Sequence, residues 1–152
     1  MTSNTQETAR ELLEVAPLIV KDIRTEMRRQ TSVELGVPQF RSLNFIDKNQ
    51  GSSLLDVANH LGLTPPSTCR LVDGLITRGL VTRQEHSSDR RRVSLTVTHN
   101  GHQILEESRK GTLTYLAAKL ESIEPSEREA IVKAMKTLQP LFTTISKPLG
   151  VK

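Results

Sequence analysis

At Gly79 the hydrophobic period of the chain switches from helical to alternating. Upstream, Ser53 to Leu61 begins with a capping-box pattern, Ser53 three residues before Asp56, in which each side chain can take a backbone N–H at a helix start. Gly62 closes that short helix, and Leu63 is expected to point back inward. Thr64-Pro65 then opens a second helix, with a hydroxyl at the N-cap and proline at the first helical position, expected to run to Arg78 and stop at Gly79. Downstream, Leu80, Val81 and Thr82 make a short strand, and Val93, Leu95 and Val97 alternate with Ser94, Thr96 and Thr98 as a second. His86-Ser87-Ser88-Asp89 between them reads as a hairpin loop. Two short helices joined at a glycine and followed directly by a hairpin point to a mainly α fold with a small β-hairpin wing (α+β).

Long helices flank this centre. From Gln6 to Gln30, Leu12, Ala16, Ile19, Ile23 and Met27 recur at steps of three or four, and Leu13, Val15, Leu18 and Val20 widen the stripe. A helix so apolar does not belong on a monomer's surface. Pro17 inside it is expected to kink the helix or to start its main part. After a break at Gly36 and Pro38, a helix over Pro38–Lys48 offers Val37, Phe40, Leu43 and Phe45 or Ile46 for burial, and Asn49-Gln50-Gly51 forms a turn. Thr98 can cap a second long helix reaching Ile123, which carries Ile104, Leu105, Leu116, Leu120 and Ile123 towards a partner surface. Pro125 starts a last helix with Ile131, Ala134, Leu138, Leu141, Phe142 and Ile145 on its apolar side, where Pro140 introduces a bend.

At 152 residues with 36% apolar and 25% charged side chains, the chain is the size of one domain with one core. Trp is absent and aromatics number four (Phe40, Phe45, Tyr115, Phe142), so the core is built from Leu, Ile, Val and Ala, as helices supply. A net charge of +4 suits nucleic acid, an anionic surface or simple solubility. A lone cysteine, Cys69, excludes an intramolecular disulfide and any multi-cysteine metal site. Met1 to Arg10 is polar, without a signal peptide's apolar stretch, and no run approaches ~18 uncharged apolar residues. The expectation is a soluble cytoplasmic protein with no membrane partner.

The central segment has what a helix-turn-helix needs. Ala58 is small where the helices would cross, Gly62 allows the turn, and Val57, Leu61, Leu63 and Leu71 take inward positions, with Thr68 at a further one. The hairpin makes a β-wing whose tip reads Ser88-Asp89-Arg90-Arg91-Arg92. Guanidinium groups bind phosphate bidentately and enter narrow minor grooves, so a basic wing beside a groove-binding helix has a coherent use. The bland alternative is a solvated loop that blunts the hairpin edge. On the second helix Pro65 and Pro66 stiffen the first turn, Ser67 offers a short donor and acceptor, and Arg70 follows one turn later on the same side. The helix N-terminus is expected to favour phosphate as well. The candidate DNA-binding residues are therefore Pro66, Ser67, Arg70, Arg90, Arg91 and Arg92.

The run Pro65-Pro66-Ser67-Thr68-Cys69-Arg70-Leu71-Val72-Asp73, with Leu75, Arg78-Gly79-Leu80-Val81, Arg83, Ser88-Asp89-Arg90-Arg91 and Val97-Thr98-His99-Asn100-Gly101, resembles the winged-helix core of the MarR family, including its SlyA-like branch. The resemblance implies a transcription regulator, as a homodimeric repressor, whose N- and C-terminal helices (6–36 and 99–147) interdigitate and whose winged lobes (37–98) read a pseudo-palindromic site on double-stranded DNA. It implies major-groove contacts from Pro66, Ser67 and Arg70 and wing contacts from Arg90 and Arg91. It also implies a small aromatic or phenolic effector between the dimer helices and the lobe, here near Ile23, Met27, Phe40, Leu43 and Leu105. Thr68, Cys69 and Val97 depart from the family's usual residues.

Other chemistry finds little support. Cys69 on the reading helix is a weak redox candidate. His60, His86, His99 and His102 form no metal-binding pattern, although His99 and His102 stand at helical spacing, and no metal is expected. No phosphate loop, nucleophile elbow or acidic pair with a shielding pocket is evident from the sequence, so neither an enzyme nor a cofactor is expected. Gly111 inside the long helix suits close helix approach. The rival readings are a non-catalytic protein-interaction module and a nonspecific DNA coater.

Overall fold

A computed structural model of the chain describes residues 4–86 and 89–143, the side chains of 86–92 lying outside the description. The described residues form α1 (Thr5–Arg29), α2 (Val37–Lys48), α3 (Leu54–Leu61), α4 (Pro65–Thr77), β1 (Val81–His86), β2 (Asp89–Val97), α5 (His99–Leu120) and α6 (Pro125–Phe142). Local chemistry sets the ends. Ser53 Oγ accepts from the Asp56 N–H and Asp56 Oδ2 from the Ser53 N–H, both at 3.0 Å, completing the capping box of α3. At the end of α4, Gly79 adopts φ +75°, the Leu80 N–H reaches the Leu75 carbonyl at 3.0 Å and the Gly79 N–H that of Ile76 at 2.9 Å, a pair of bonds that only a left-handed residue permits. Thr98 Oγ1 caps α5 by accepting from the Gly101 N–H at 3.0 Å while donating to the Gly79 carbonyl at 2.7 Å, which ties α5 to the end of α4.

β1 and β2 pair antiparallel from Val81↔Val97 to Glu85↔Val93, with a register shift before His86↔Asp89. The hairpin is longer than Leu80–Thr82 and Val93–Thr98 suggested, and Ser87 and Ser88 of the expected loop lie outside the described residues. Ser52 bridges Leu95 on the other edge of β2: the Gly51 N–H donates to the Leu95 carbonyl and the Leu95 N–H to that of Ser52, each at 2.8 Å. The residue directly after the Asn49-Gln50-Gly51 turn thus supplies a third, one-residue rung of sheet.

The core gathers Phe40, Leu43, Phe45 and Ile46 of α2, Val57 of α3, Val72 and Leu75 of α4, Leu80, Val81 and Leu95 at the hairpin, and Ile104 and Leu105 of α5. Several expectations are corrected. Val37 is 47% and Leu63 40% exposed. Val37 is the first residue of α2, and the αL turn at Gly62 carries the chain outward before α4 begins. Leu71 is half-buried, and Val72 and Leu75 face inward instead. Ile104 and Leu105 fill the chain's own lobe and do not face a partner, because Thr98 anchors the first turns of α5 over Leu80. Thr68 is fully buried, as expected, and its hydroxyl is satisfied by donating to the Thr64 carbonyl at 2.9 Å.

α1 runs unbroken through Pro17, and α6 through Pro140. α1 lies along α5, joined by Ser108 Oγ donating to the Met27 carbonyl and by a cluster in which Tyr115 Oη and Lys119 Nζ donate to Asp22 at 3.0 and 2.8 Å. That cluster holds the Asp22 carboxyl below the usual carboxylate range, chiefly through the Lys119 bond, and pushes the Lys119 ammonium up. Elsewhere the long helices remain bare: Leu13, Leu18, Leu141 and Phe142 are each at least 67% exposed, and α6 buries none of its residues within the chain. Leu120 is 40% exposed and Ile123 half-buried, while Ile145 lies outside the described residues.

Candidate nucleic-acid interface

α4 presents Pro66, Ser67 and Arg70 on one exposed face. Its N-cap, Thr64, accepts from the Ser67 N–H at 3.3 Å and donates its hydroxyl to Ser67 Oγ at 3.0 Å, leaving the Ser67 hydroxyl proton free to donate outward. The expectation of backbone phosphate binding at this helix start is corrected by the same geometry. Positions one and two are prolines without an N–H, and the third N–H is taken by Thr64, so the first turn has few amides to give an anion. What α4 offers a ligand at this end is therefore side chains and not backbone amides.

The wing is fixed to α4 by Asp73, whose Oδ1 meets Arg83 Nη2 of β1 at 3.4 Å. Its Oδ2 accepts from Cys69 Sγ at 3.7 Å, which gives the cysteine a structural partner on α4. The Asp73–Arg83 bridge was not foreseen, because its partners are ten residues apart on elements of different period; both stand in the motif that carries the family resemblance. In the hairpin ladder Arg90, Arg91 and Arg92 occupy the stretch between the Glu85↔Val93 and His86↔Asp89 pairs. Their backbone belongs to β2 at the tip, and their side chains lie outside the described residues.

The residues expected to line an effector pocket divide. Ile23, Met27 and Leu105 line a groove of about 360 Å³ between α1, α2 and α5, rimmed by Asp47, Glu106 and Arg109. Phe40 belongs to a separate groove of about 350 Å³ between α1 and α2, and Leu43 is fully buried in the core. Beside the first groove His102 Nδ1 lies 3.0 Å from Asp47 Oδ1, and this hydrogen bond and the Asp47 charge raise the His102 pKa above its ordinary 6.5. His60 stacks on Phe45 at 4.4 Å between ring centroids, and desolvation, then the charges of Arg41, Arg24 and Lys48, lower its pKa. Among the described residues no three His, Cys, Asp or Glu side chains converge as metal ligands, and no helix is long and apolar enough to cross a membrane.

Residues 34–92 match the MarR family model. The HTH-type transcriptional repressor YetL of Bacillus subtilis is 29% identical over 96 residues, a match spanning 63% of this chain and 58% of that repressor's length. Among solved structures, RV1404 of Mycobacterium tuberculosis superposes with a TM-score of 0.74 at 24% identity, covering 92% of this chain and 95% of that one. FabT of Streptococcus pneumoniae, solved in complex with DNA, superposes with a TM-score of 0.61 at 16% identity, covering 91% and 96%. At these identities the structural likeness establishes a shared winged-helix fold.

Proposed function

We propose that this chain, a MarR-family sequence over residues 34–92, is a homodimeric transcription repressor that reads a pseudo-palindromic site on double-stranded DNA. The observation that carries the reading is the exposed α4 face of Pro66, Ser67 and Arg70, held by the Asp73–Arg83 bridge beside a hairpin whose tip is Arg90-Arg91-Arg92. In this reading α4 enters the major groove, where Arg70 can take a guanine edge bidentately, and the wing arginines meet phosphate or the minor groove. Residues 37–98 form the reading lobe, and residues 6–36 and 99–147 form arms whose bare apolar faces meet in the dimer. The naming of a relative as a repressor and of a structural neighbour as a DNA complex favours the same function, and a cytoplasmic setting is part of this reading. The relatives are named as regulators and not as enzymes. The groove at Ile23, Met27 and Leu105 suits a small aromatic or phenolic effector that changes the spacing of the two lobes.

The test is fluorescence anisotropy with DNA flanking the protein's own gene, a scrambled control of equal length, and an Arg90→Ala/Arg91→Ala variant. Binding at ~0.15 M salt that favours the native fragment by at least ~10³ and weakens in the variant is expected. Equal binding of both fragments would indicate a nonspecific coater, and binding of neither would move the assignment to a protein-interaction module.

A further inference from the structure

We infer that α4 reads hydrogen-bond acceptors on neighbouring bases, with the Ser67 hydroxyl and the Arg70 guanidinium as its donors, so that each half-site presents guanine to Arg70 and, beside it, a base with an outward acceptor to Ser67. The inference rests on the DNA-reading function proposed above and specifies the base chemistry of its site. The first turn of α4 gives no free backbone amide, because Pro65 and Pro66 have none and the Ser67 N–H is held by Thr64 at 3.3 Å. The hydroxyls of Thr68 and Thr77 donate to carbonyls four residues back, each at 2.9 Å. Ser67 makes no such bond among the described residues. It receives the Thr64 hydroxyl at 3.0 Å, so one of its lone pairs is filled and its proton is left for a partner outside the chain. A hydroxyl that receives a hydrogen bond is the stronger donor for it.

The carboxylate acceptor of the same helix is withheld. Asp73, the one acidic residue of α4, lies a turn beyond Arg70, but its Oδ1 meets Arg83 Nη2 at 3.4 Å and its Oδ2 receives Cys69 Sγ at 3.7 Å. Arg70 has no hydrogen bond or ion pair among the described residues, and a guanidinium carries five N–H donors and no acceptor. Ser67 and Arg70 are three residues apart on the exposed side of α4, ~4.5 Å along its axis, close to one base-pair step of ~3.4 Å. In the major groove guanine offers O6 and N7, adenine N7 and thymine O4, whereas cytosine offers its amino donor alone. A face whose free polar groups are donors therefore favours guanine at Arg70, accepts guanine, adenine or thymine at Ser67, and disfavours cytosine at both.

The test is selection of bound duplexes from a library randomised over both half-sites, then anisotropy titration of the selected site at ~0.15 M salt, with the full chain, Arg70→Ala and Ser67→Ala. Both positions are exposed, and unchanged circular dichroism would establish that each variant folds. The wild type is expected to select guanine at a position whose preference Arg70→Ala removes. Replacing that guanine in one half-site by 7-deazaguanine, which lacks the N7 acceptor and still pairs, should weaken wild-type binding roughly tenfold and leave Arg70→Ala unchanged. At the neighbouring position, whose preference Ser67→Ala removes, the acceptor can be deleted with a 7-deaza purine or with 5-methylcytosine in place of thymine. That should weaken the wild type about two- to tenfold, the size of one hydrogen bond, and leave Ser67→Ala unchanged. Undiminished wild-type binding to either acceptor-deleted duplex, or losses that persist in the matching variant, would overturn the inference. So would variants that bind more weakly yet select the same sequence as the wild type, since both side chains would then grip phosphate while the regulator stood. A wild type that selects no sequence would overturn the acceptor reading and the sequence-reading regulator together.

Discussion

Gly101 shows how a single position in the chain answers to distant geometry. A Cβ there would collide with the Leu80 carbonyl oxygen and lie 2.7 Å from Val97 Cγ1, so the first turn of α5 can sit on the hairpin only without a side chain. Gly101→Ala should therefore cost about 1–3 kcal/mol of stability, read from urea unfolding. At Gly111, also inside α5, the three atoms nearest an added Cβ all belong to Gln30 and include its Cγ at 2.9 Å, so Gln30 would have to turn from its root and give up its 3.1 Å hydrogen bond to the buried Glu26. Gly111→Ala should therefore cost up to about 1–2 kcal/mol in the same assay, less than Gly101→Ala, because the gain in helix propensity offsets part of the displacement of Gln30. Arg70→Ala separates function from fold in the same assay. It should leave stability within about 0.5 kcal/mol and weaken operator binding by about 1–3 kcal/mol, the cost of one bidentate base contact.

Between elements, His102 of α5 and Asp47 of α2 form the contact that responds to pH. Since the His102 pKa is raised above 6.5, by the Asp47 hydrogen bond first and its charge second, the contact stabilises the fold fully below about pH 6.5 and is lost as pH rises through the raised value. His60 acts in the other sense: its lowered pKa means that acid must charge a ring the fold prefers neutral. His102→Gln isolates the first contribution. Its melting temperature should fall below the wild type's at about pH 5.5 and approach it at about pH 8.5, and an equal deficit at both would show that protonation of His102 does not matter. The helices themselves were legible because caps and breakers act within four residues: Ser53 with Asp56, Thr64 with Pro65, and Thr98 with Gly101 all function as their spacing implied. Pro17 was harder to judge. A proline removes one backbone bond without by itself fixing whether the helix stops, and here α1 continues through it from Thr5 to Arg29.

For the whole molecule, the proposed dimer should bind its operator with an affinity that falls steeply with salt, log affinity dropping by about 0.9 per phosphate neutralised for each decade of salt. Removing Arg90 and Arg91 from both copies should flatten that slope by up to ~3.6 if all four meet phosphate, whereas Arg70→Ala should change affinity with little change of slope if it reads a base. The periodicity, the caps and the Asp-Arg-Arg tip sufficed for the winged-helix class and for the list of candidate contacts, because each is a property of residues within a turn or a strand of one another. Long-range choices were not accessible in that way. The Ser52 rung on β2, the Asp73–Arg83 bridge, the burial of Ile104 and Leu105 in the lobe, and the separation of Phe40 and Leu43 from the Ile23–Leu105 groove all depend on which faces meet. An amphipathic stripe states that a face will be covered; packing among elements many residues apart, where burial is worth about 25 cal/mol per Å², decides what covers it.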